Sequence, residues 1–217
     1  LLLLSLLFLF SCSPRVIKIG VAVPLSGSGT GRGQEIVNAI LLVAEEVNRT
    51  GGIKGRKLEI IVQDDKDIPE RGIQAAQALI KEEVVGVIGH YSSDVTLAAL
   101  PTYVSAKTPL LSPSVALSKV PEEGRYFFRT VPNNTLQARA AAQFIQSSNY
   151  RRLSIVYNNS EYGKDLADEL DALLKGRSEV RVNKYAEEGG ANIFQEILAS
   201  VPELVFYAGG YRDASSF

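Results

Sequence analysis

The stretch "VIKIGVAVPLSGSGTGRGQEIVNAILLVAEEVNRTGGIKGRKLEIIVQDD", residues 16–65, decides the fold class. It opens on a short run rich in β-branched residues, "VIKIGVAV" (16–23), and passes through a glycine-rich turn. A long segment follows in which Ile36, Ile40, Val43 and Val47 recur at three- and four-residue spacing. That spacing draws one apolar stripe along a helix. A second strand-like run, "KLEIIVQD" (57–64), closes the stretch. Strand, helix and strand in this order form the unit from which parallel sheets are built.

The alternation continues outward. Further strands are expected at "VVGVIG" (84–89), "PLLS" (109–112), "RLSIVY" (152–157), "EVRVNKY" (179–185) and "ELVFYA" (203–208). Helices are expected near 31–48, 69–83, 94–106, 135–147, 161–175 and 192–199. Between 113 and 135 the pattern is broken by Pro113, Pro121, Gly124, Pro132 and the pair Asn133 and Asn134, which marks a crossing between two lobes. The expected fold is α/β, with two doubly wound parallel-sheet lobes joined by a hinge. The first lobe is expected over 12–131 and the second over 132–217. Because "YAGGYRDASSF" ends soon after a strand with no closing element, the second lobe is expected to be incomplete.

Composition sets the outer limits. With 217 residues, 46% of them hydrophobic and 22% charged, the chain has the make-up of a globular protein of one or two domains. Its 23 basic and 24 acidic side chains are interspersed, so there is no electrostatic footprint for nucleic acid and no polybasic patch for an anionic membrane. One cysteine, Cys12, excludes an internal disulfide and a multi-cysteine zinc site. One histidine, His90, leaves little for a His-based metal site, so neither metal nor cofactor is expected.

The start, "LLLLSLLFLFSCS", is an apolar run too short to span a bilayer and of the length of a signal-peptide core. Residues 1–11 are therefore expected to be part of a signal peptide. Within the run "LLLLSLLFLFSCS" the stretch "LFSC" (9–12) resembles the bacterial lipobox, with Phe10 an unusual occupant of its middle position. The resemblance implies cleavage before Cys12 and a diacylated N-terminus, and two acyl chains suffice for stable anchoring. The alternative is an ordinary secretory signal with an incidental cysteine.

Catalytic motifs fail one by one. In "LSGSGTGRG" (25–33) the dinucleotide spacing G-x-G-x-x-G would need glycine where Arg32 or Gln34 stands, and no Gly-Lys-Ser/Thr follows for a P-loop. The loop either serves an anionic ligand or simply connects its elements. Neither G-x-S-x-G nor S-x-x-K occurs, and any Ser/His/Asp triad would have to use His90. Directly after a buried-looking strand, His90 reads better as a side chain that ties loops together through its ring nitrogens. Asp64 and Asp65 could in principle form an acid/base couple, but they read better as caps of a strand end. What remains is a set of polar groups at strand ends, in "LSGSG", "HYSSDVT" and "SPSVALS". Ligands of open α/β sheets bind outside the carboxyl ends of the strands. The competing use of each hydroxyl is a helix cap.

Taken in order, "IKIGVAVPLSGSGTGRGQE", "EEVNRTGGIKGRKLEIIVQDD", "VVGVIGHYSSDVT", "TPLLSPSVA", "YFFRTVPNN", "IVYNNSEYGKD" and "LVFYAGGY" resemble the periplasmic binding proteins of the leucine/isoleucine/valine-binding type, from about residue 16 to the end. The resemblance implies an extracytoplasmic receptor of an ABC importer, a two-lobed clamp that holds a small ligand and docks on a permease. Ser92 and Ser93 match the loop that bonds the ligand's carboxylate. Ser114 matches a position whose carbonyl accepts from the ammonium, and Tyr162 and Tyr211 match aromatics that cover the ligand after closure. Ala116 stands where amino-acid binders usually carry Thr, so the expected ligand class widens to amides, urea and aromatic acids, with a branched-chain amino acid leading. The resemblance implies that the acidic residue that typically pairs with the ammonium is to be expected beyond Phe217.

These readings imply a non-enzymatic protein, exported and either periplasmic or lipid-anchored through Cys12 on the outer face of the bacterial cytoplasmic membrane. Its expected partners are a small-molecule ligand and an ABC permease. The alternative is the sensing domain of a signalling or regulatory receptor for short amides, urea or similar ligands.

Overall fold

A computed structural model describes residues 16–27, 29–122, 124–175, 181–186, 191–210 and 214. Through the first half run β1 (Ile17–Val23), α1 (Thr30–Arg49), β2 (Leu58–Asp64), α2 (Pro69–Lys81), β3 (Val87–Gly89), α3 (Ser93–Ser105), β4 (Leu110–Ser112) and β5 (Phe127–Arg129). The second half holds α4 (Asn134–Ser147), β6 (Arg152–Tyr157), α5 (Glu161–Leu174), β7 (Arg181–Ala186), α6 (Ala191–Ala199) and β8 (Leu204–Ala208). Each expected strand and helix is present within a few residues of its expected bounds. The addition is β5, three residues inside the segment expected to be only a crossing.

The strands form two sheets, ordered β2-β1-β3-β4-β5 and β7-β6-β8, and all their pairings are parallel. The unit β1-α1-β2-α2-β3, ordered β2-β1-β3, recurs as β6-α5-β7-α6-β8, ordered β7-β6-β8. In each sheet the first strand of the unit is flanked by the other two. The chain order therefore reverses direction beside it, and such a switch point leaves a crevice at the strands' carboxyl ends.

Side-chain alternation along β1 divides the core of the first sheet. Ala22 joins Ala75, Ala76 and Leu79 of α2, Ala99, Leu100 and Tyr103 of α3, and Val87, Leu110 and Phe127 of neighbouring strands. Val21 and Val23 point the other way and pack with Val37 of α1. Helices α2 and α3 approach closely because Gly72 carries no side chain: a Cβ there would stand 2.3 Å from Val95 Cγ1. Fully buried side chains such as Leu79 and Leu110 contribute about 1.5–3 kcal/mol each by leaving water. In the second sheet, α4 and α5 bury Ala138, Ala142, Ile145, Leu166, Leu170 and Leu174 against Leu153 and Ile155, while α6 covers Val156 on the opposite face with Ile193 and Ile197.

Among the described residues, three helices begin on a polar cap that satisfies one of their free N–H groups. The side chains of Ser92, Asn133 and Ser160 accept from Val95 N, Leu136 N and Gly163 N at the starts of α3, α4 and α5. Helix α2 instead starts on Pro69, which has no N–H to satisfy. The chain passes from the first sheet to the second between Arg129 and Asn134. Arg129 steadies that passage by donating through Nη1 to the carbonyl of Leu117 at 2.5 Å.

Candidate functional site

A cavity of about 330 Å³ lies where the carboxyl ends of the two sheets meet. From the first sheet it is lined by Tyr91, Ser92, Ser93 and Asp94 after β3, and by Ser114 after β4. From the second it is lined by Asn158, Ser160 and Tyr162 after β6, and by Gly209 and Gly210 after β8. The N-termini of α3 and α5 both open onto it, bringing backbone N–H groups and partial positive charge to its two sides.

The serines divide the labour. Ser92 is the cap of α3: its Oγ accepts from Val95 N at 3.4 Å, and its carbonyl accepts from Thr96 N at 3.1 Å and Thr96 Oγ1 at 2.8 Å. The Ser93 hydroxyl, although the residue is only 4% exposed, has no hydrogen-bond partner among the described residues. Ser114 Oγ donates to the carbonyl of Tyr91 at 2.6 Å, and Ser112 Oγ donates to the carbonyl of His90 at 3.2 Å while accepting from Val115 N at 3.0 Å. The hydroxyls at the end of β4 and just beyond it thus hold the loop after β3 in place. On the other wall, Tyr162 OH donates to Gln137 Oε1 at 3.2 Å, and burial raises the phenol above its ordinary pKa. The first turn of α5 sits tight on β6 and β8 because position 163 is glycine: a Cβ there would meet Asn158 Oδ1 at 2.2 Å and the Ala208 carbonyl at 2.7 Å.

Behind the cavity, the adjacent carboxylates of Asp64 and Asp65 serve two different loops. Asp64 accepts from Leu25 N (2.8 Å), Lys66 N (2.9 Å) and Ser26 Oγ (2.6 Å), and so holds the glycine-rich loop. Burial works to raise the Asp64 carboxyl, but the hydrogen bonds from Ser26, Leu25 and Lys66 outweigh it and hold the group below its ordinary pKa. Asp65 turns inward to His90 Nδ1 at 2.6 Å, and His90 Nε2 lies 3.1 Å from Tyr103 OH, all three side chains being buried. His90 thus ties loops together. Burial, and then the charge of Asp65, push the Tyr103 phenol well above its usual value.

Of the site residues expected from sequence, Ser92, Ser93, Ser114 and Tyr162 meet at this one cavity. Ala116 does not line it. It is 5% exposed, and its carbonyl accepts from Asn134 N at 2.5 Å, which turns it into the chain passage between the sheets. Tyr211, Cys12 and the signal segment 1–11 lie outside the described residues. The glycine-rich loop is likewise absent from the described lining and acts as a connection stapled to Asp64. Sequence reasoning passed over Asp94, Asn158 and Ser160. The signal for the last two was a polar run, "NNSEYG", at a strand's carboxyl end, the same mark that singled out the loop after β3. Among the described residues no group of His, Cys, Asp or Glu side chains is placed to hold a metal ion, and no helix is long and apolar enough to cross a membrane.

Comparison with known proteins adds to this geometry. A family model described as periplasmic binding protein matches residues 16–217. A Leu/Ile/Val-binding protein homolog of Brucella abortus is 29% identical over 207 residues, covering 91% of this chain and 55% of the relative. The chain spans about half the length of the curated relatives it matches. A crystal structure of an ABC transporter substrate-binding protein from Desulfitobacterium hafniense in complex with Leu is 26% identical, with a TM-score of 0.73 over 89% of this chain and 58% of that one. A leucine-binding protein from Thermotoga maritima, 21% identical, shares the fold with a TM-score of 0.79 over 88% of this chain and 56% of its own.

Proposed function

This chain belongs to the periplasmic binding protein family, and from that premise we propose that it is the extracytoplasmic receptor of an ABC importer that binds a branched-chain amino acid or a related small polar molecule. Residues 12–131 and 132–217 form its two lobes, and lipid carried on Cys12 holds it at the outer face of the membrane. The observation that carries the proposal is the convergence of the polar side chains of Ser93 and Ser114 from one sheet with Asn158 and Tyr162 from the other around one cavity. Its volume, about 330 Å³, is at the small end for ligand pockets and suits a molecule of amino-acid size. The name of the Brucella relative and the leucine complex of the Desulfitobacterium neighbour support a branched-chain amino acid as ligand.

Such a receptor performs no covalent chemistry. The Ser93 hydroxyl and the first amides of α3 hold the ligand's carboxylate, and the second lobe closes with Tyr162 over it. Closure is a population shift whose extent is limited by how much better the ligand binds the closed state. The test is a scan of thermal stability against leucine, isoleucine, valine, other amino acids, short amides, urea and aromatic acids. A ligand at a hundred times its Kd stabilises by about 2.7 kcal/mol, a rise of several degrees. A rise with leucine, isoleucine or valine supports the branched-chain assignment. A rise only with an amide, urea or an aromatic acid replaces the ligand but keeps the clamp, and no rise with any compound overturns the receptor.

A further inference from the structure

Asp94 is the one charged side chain among the described residues that line the cavity. It stands in the first turn of α3, and its Oδ1 accepts from the backbone N–H of Glu161 at 3.3 Å, across the cavity at the start of α5. Its other oxygen makes no further hydrogen bond among the described residues. Asp94 is half-buried, so its charge is screened less than that of a surface carboxylate. Its influence reaches the wall of the first lobe. The Asp67 carboxyl, raised chiefly by burial and eased down by the Ser92 hydroxyl, is raised further by the charges of Asp65 and Asp94.

A carboxylate in this position changes what two facing helix N-termini select. Alone, they favour an anion from both sides. With Asp94 between them, the start of α5 is already engaged by the protein's own anion, and a ligand that carries only a carboxylate meets a like charge inside a confined space. A ligand that carries N–H donors as well finds an acceptor beside the place where Ser93 receives its carboxylate.

We propose that Asp94 is a specificity-determining residue that selects ligands bearing an ammonium or similar N–H donor head and rejects plain carboxylates of the same shape. The assignment deepens the receptor function proposed above and rests on it. The test is calorimetric titration of the wild-type protein, Asp94→Asn and Asp94→Ala with leucine and with 4-methylpentanoate, which is leucine without its amino group. The wild type is expected to prefer leucine. In both variants that preference falls about ten- to a hundredfold, the worth of a hydrogen bond to a charged group, with affinity for 4-methylpentanoate rising. A preference that is unchanged in both variants, or equal weakening of both compounds, makes Asp94 a closure contact only and overturns the assignment. A wild-type protein that binds neither compound overturns the branched-chain ligand reading on which the assignment rests, a result distinct from binding with unaltered preference.

Discussion

Asp165 of α5 accepts from Ser118 twice, from its amide at 2.7 Å and from its hydroxyl at 2.5 Å, across 47 residues of chain. Asn134, fully buried at the start of α4, donates to the same carboxylate at 2.8 Å. One side chain thus joins the segment after β4 to the helix that carries Tyr162 into the cavity. Replacing Asp165 by Ala leaves the Asn134 amide and the Ser118 amide short of an acceptor. We expect a loss of about 1–3 kcal/mol, read as a lower midpoint in denaturant unfolding. An unchanged midpoint would show that the joint carries no stability.

Ser92 and Ser93 separate capping from binding. Ser92→Ala removes the cap of α3 and is expected to cost about 1 kcal/mol of folding stability. Ser93→Ala removes a hydroxyl with no partner among the described residues. It is expected to cost less stability than Ser92→Ala, because no hydrogen bond among the described residues is lost, while weakening a carboxylate ligand by about 1–3 kcal/mol. Unfolding curves and calorimetric titration of the two variants check the pair. Equal affinity for wild type and Ser93→Ala would remove Ser93 from the site.

How much of this was legible beforehand varies along the chain. The strands and helices were, since stripes such as Ile36, Ile40, Val43 and Val47 carry helical periodicity wherever a helix must pack on a sheet. Strand β5 was not. Its three residues, Phe127–Arg129, sit in a turn-rich stretch and are strand only because Leu110 and Leu111 pair with Phe127 and Phe128, a long-range fact with no local mark. The hydroxyls after β3 announced a site, but sequence could not distinguish the capping Ser92 from Ser93, which caps nothing among the described residues, because both sit at the same helix start. Asp64 and Asp65 looked like one carboxylate pair. Alternation along the strand end sends their side chains to different loops, and the partners, Ser26 and His90, come from far along the chain.

Asp67 and Asp64 respond to pH with opposite signs. The Asp67 carboxyl is raised, mainly by burial, and one of its buried oxygens has no partner among the described residues. Its cost is absent below the unfolded-state pKa and is complete once pH has risen through the folded value. Asp67→Asn is therefore expected to be more stable than wild type at neutral pH and equal to it in acid. The backbone there, with φ of 60°, is one that Asn tolerates. Asp64 is held low by its hydrogen bonds, so its contribution is present above the unfolded pKa and is lost as pH falls through the folded value. Asp64→Asn should accordingly be destabilising at neutral pH, with the deficit closing in acid. Thermal midpoints across the acid-to-neutral range check both signs.

His90→Ala is expected to destabilise by about 3–5 kcal/mol, because it leaves the Asp65 carboxylate buried without its ring partner and opens a void beside Tyr103. A variant as stable as wild type would contradict the structural role given to this histidine, and denaturant unfolding measures it directly.

If the ligand lies between the starts of α3 and α5, a crystal structure of the protein grown with the compound that raises its melting temperature most will show it there. That compound is expected in the cavity, its polar head within hydrogen-bond distance of Ser93 Oγ and its body beneath Tyr162. Density for the ligand at the glycine-rich loop after β1, or anywhere that leaves the Ser93 hydroxyl unengaged, would place the site elsewhere.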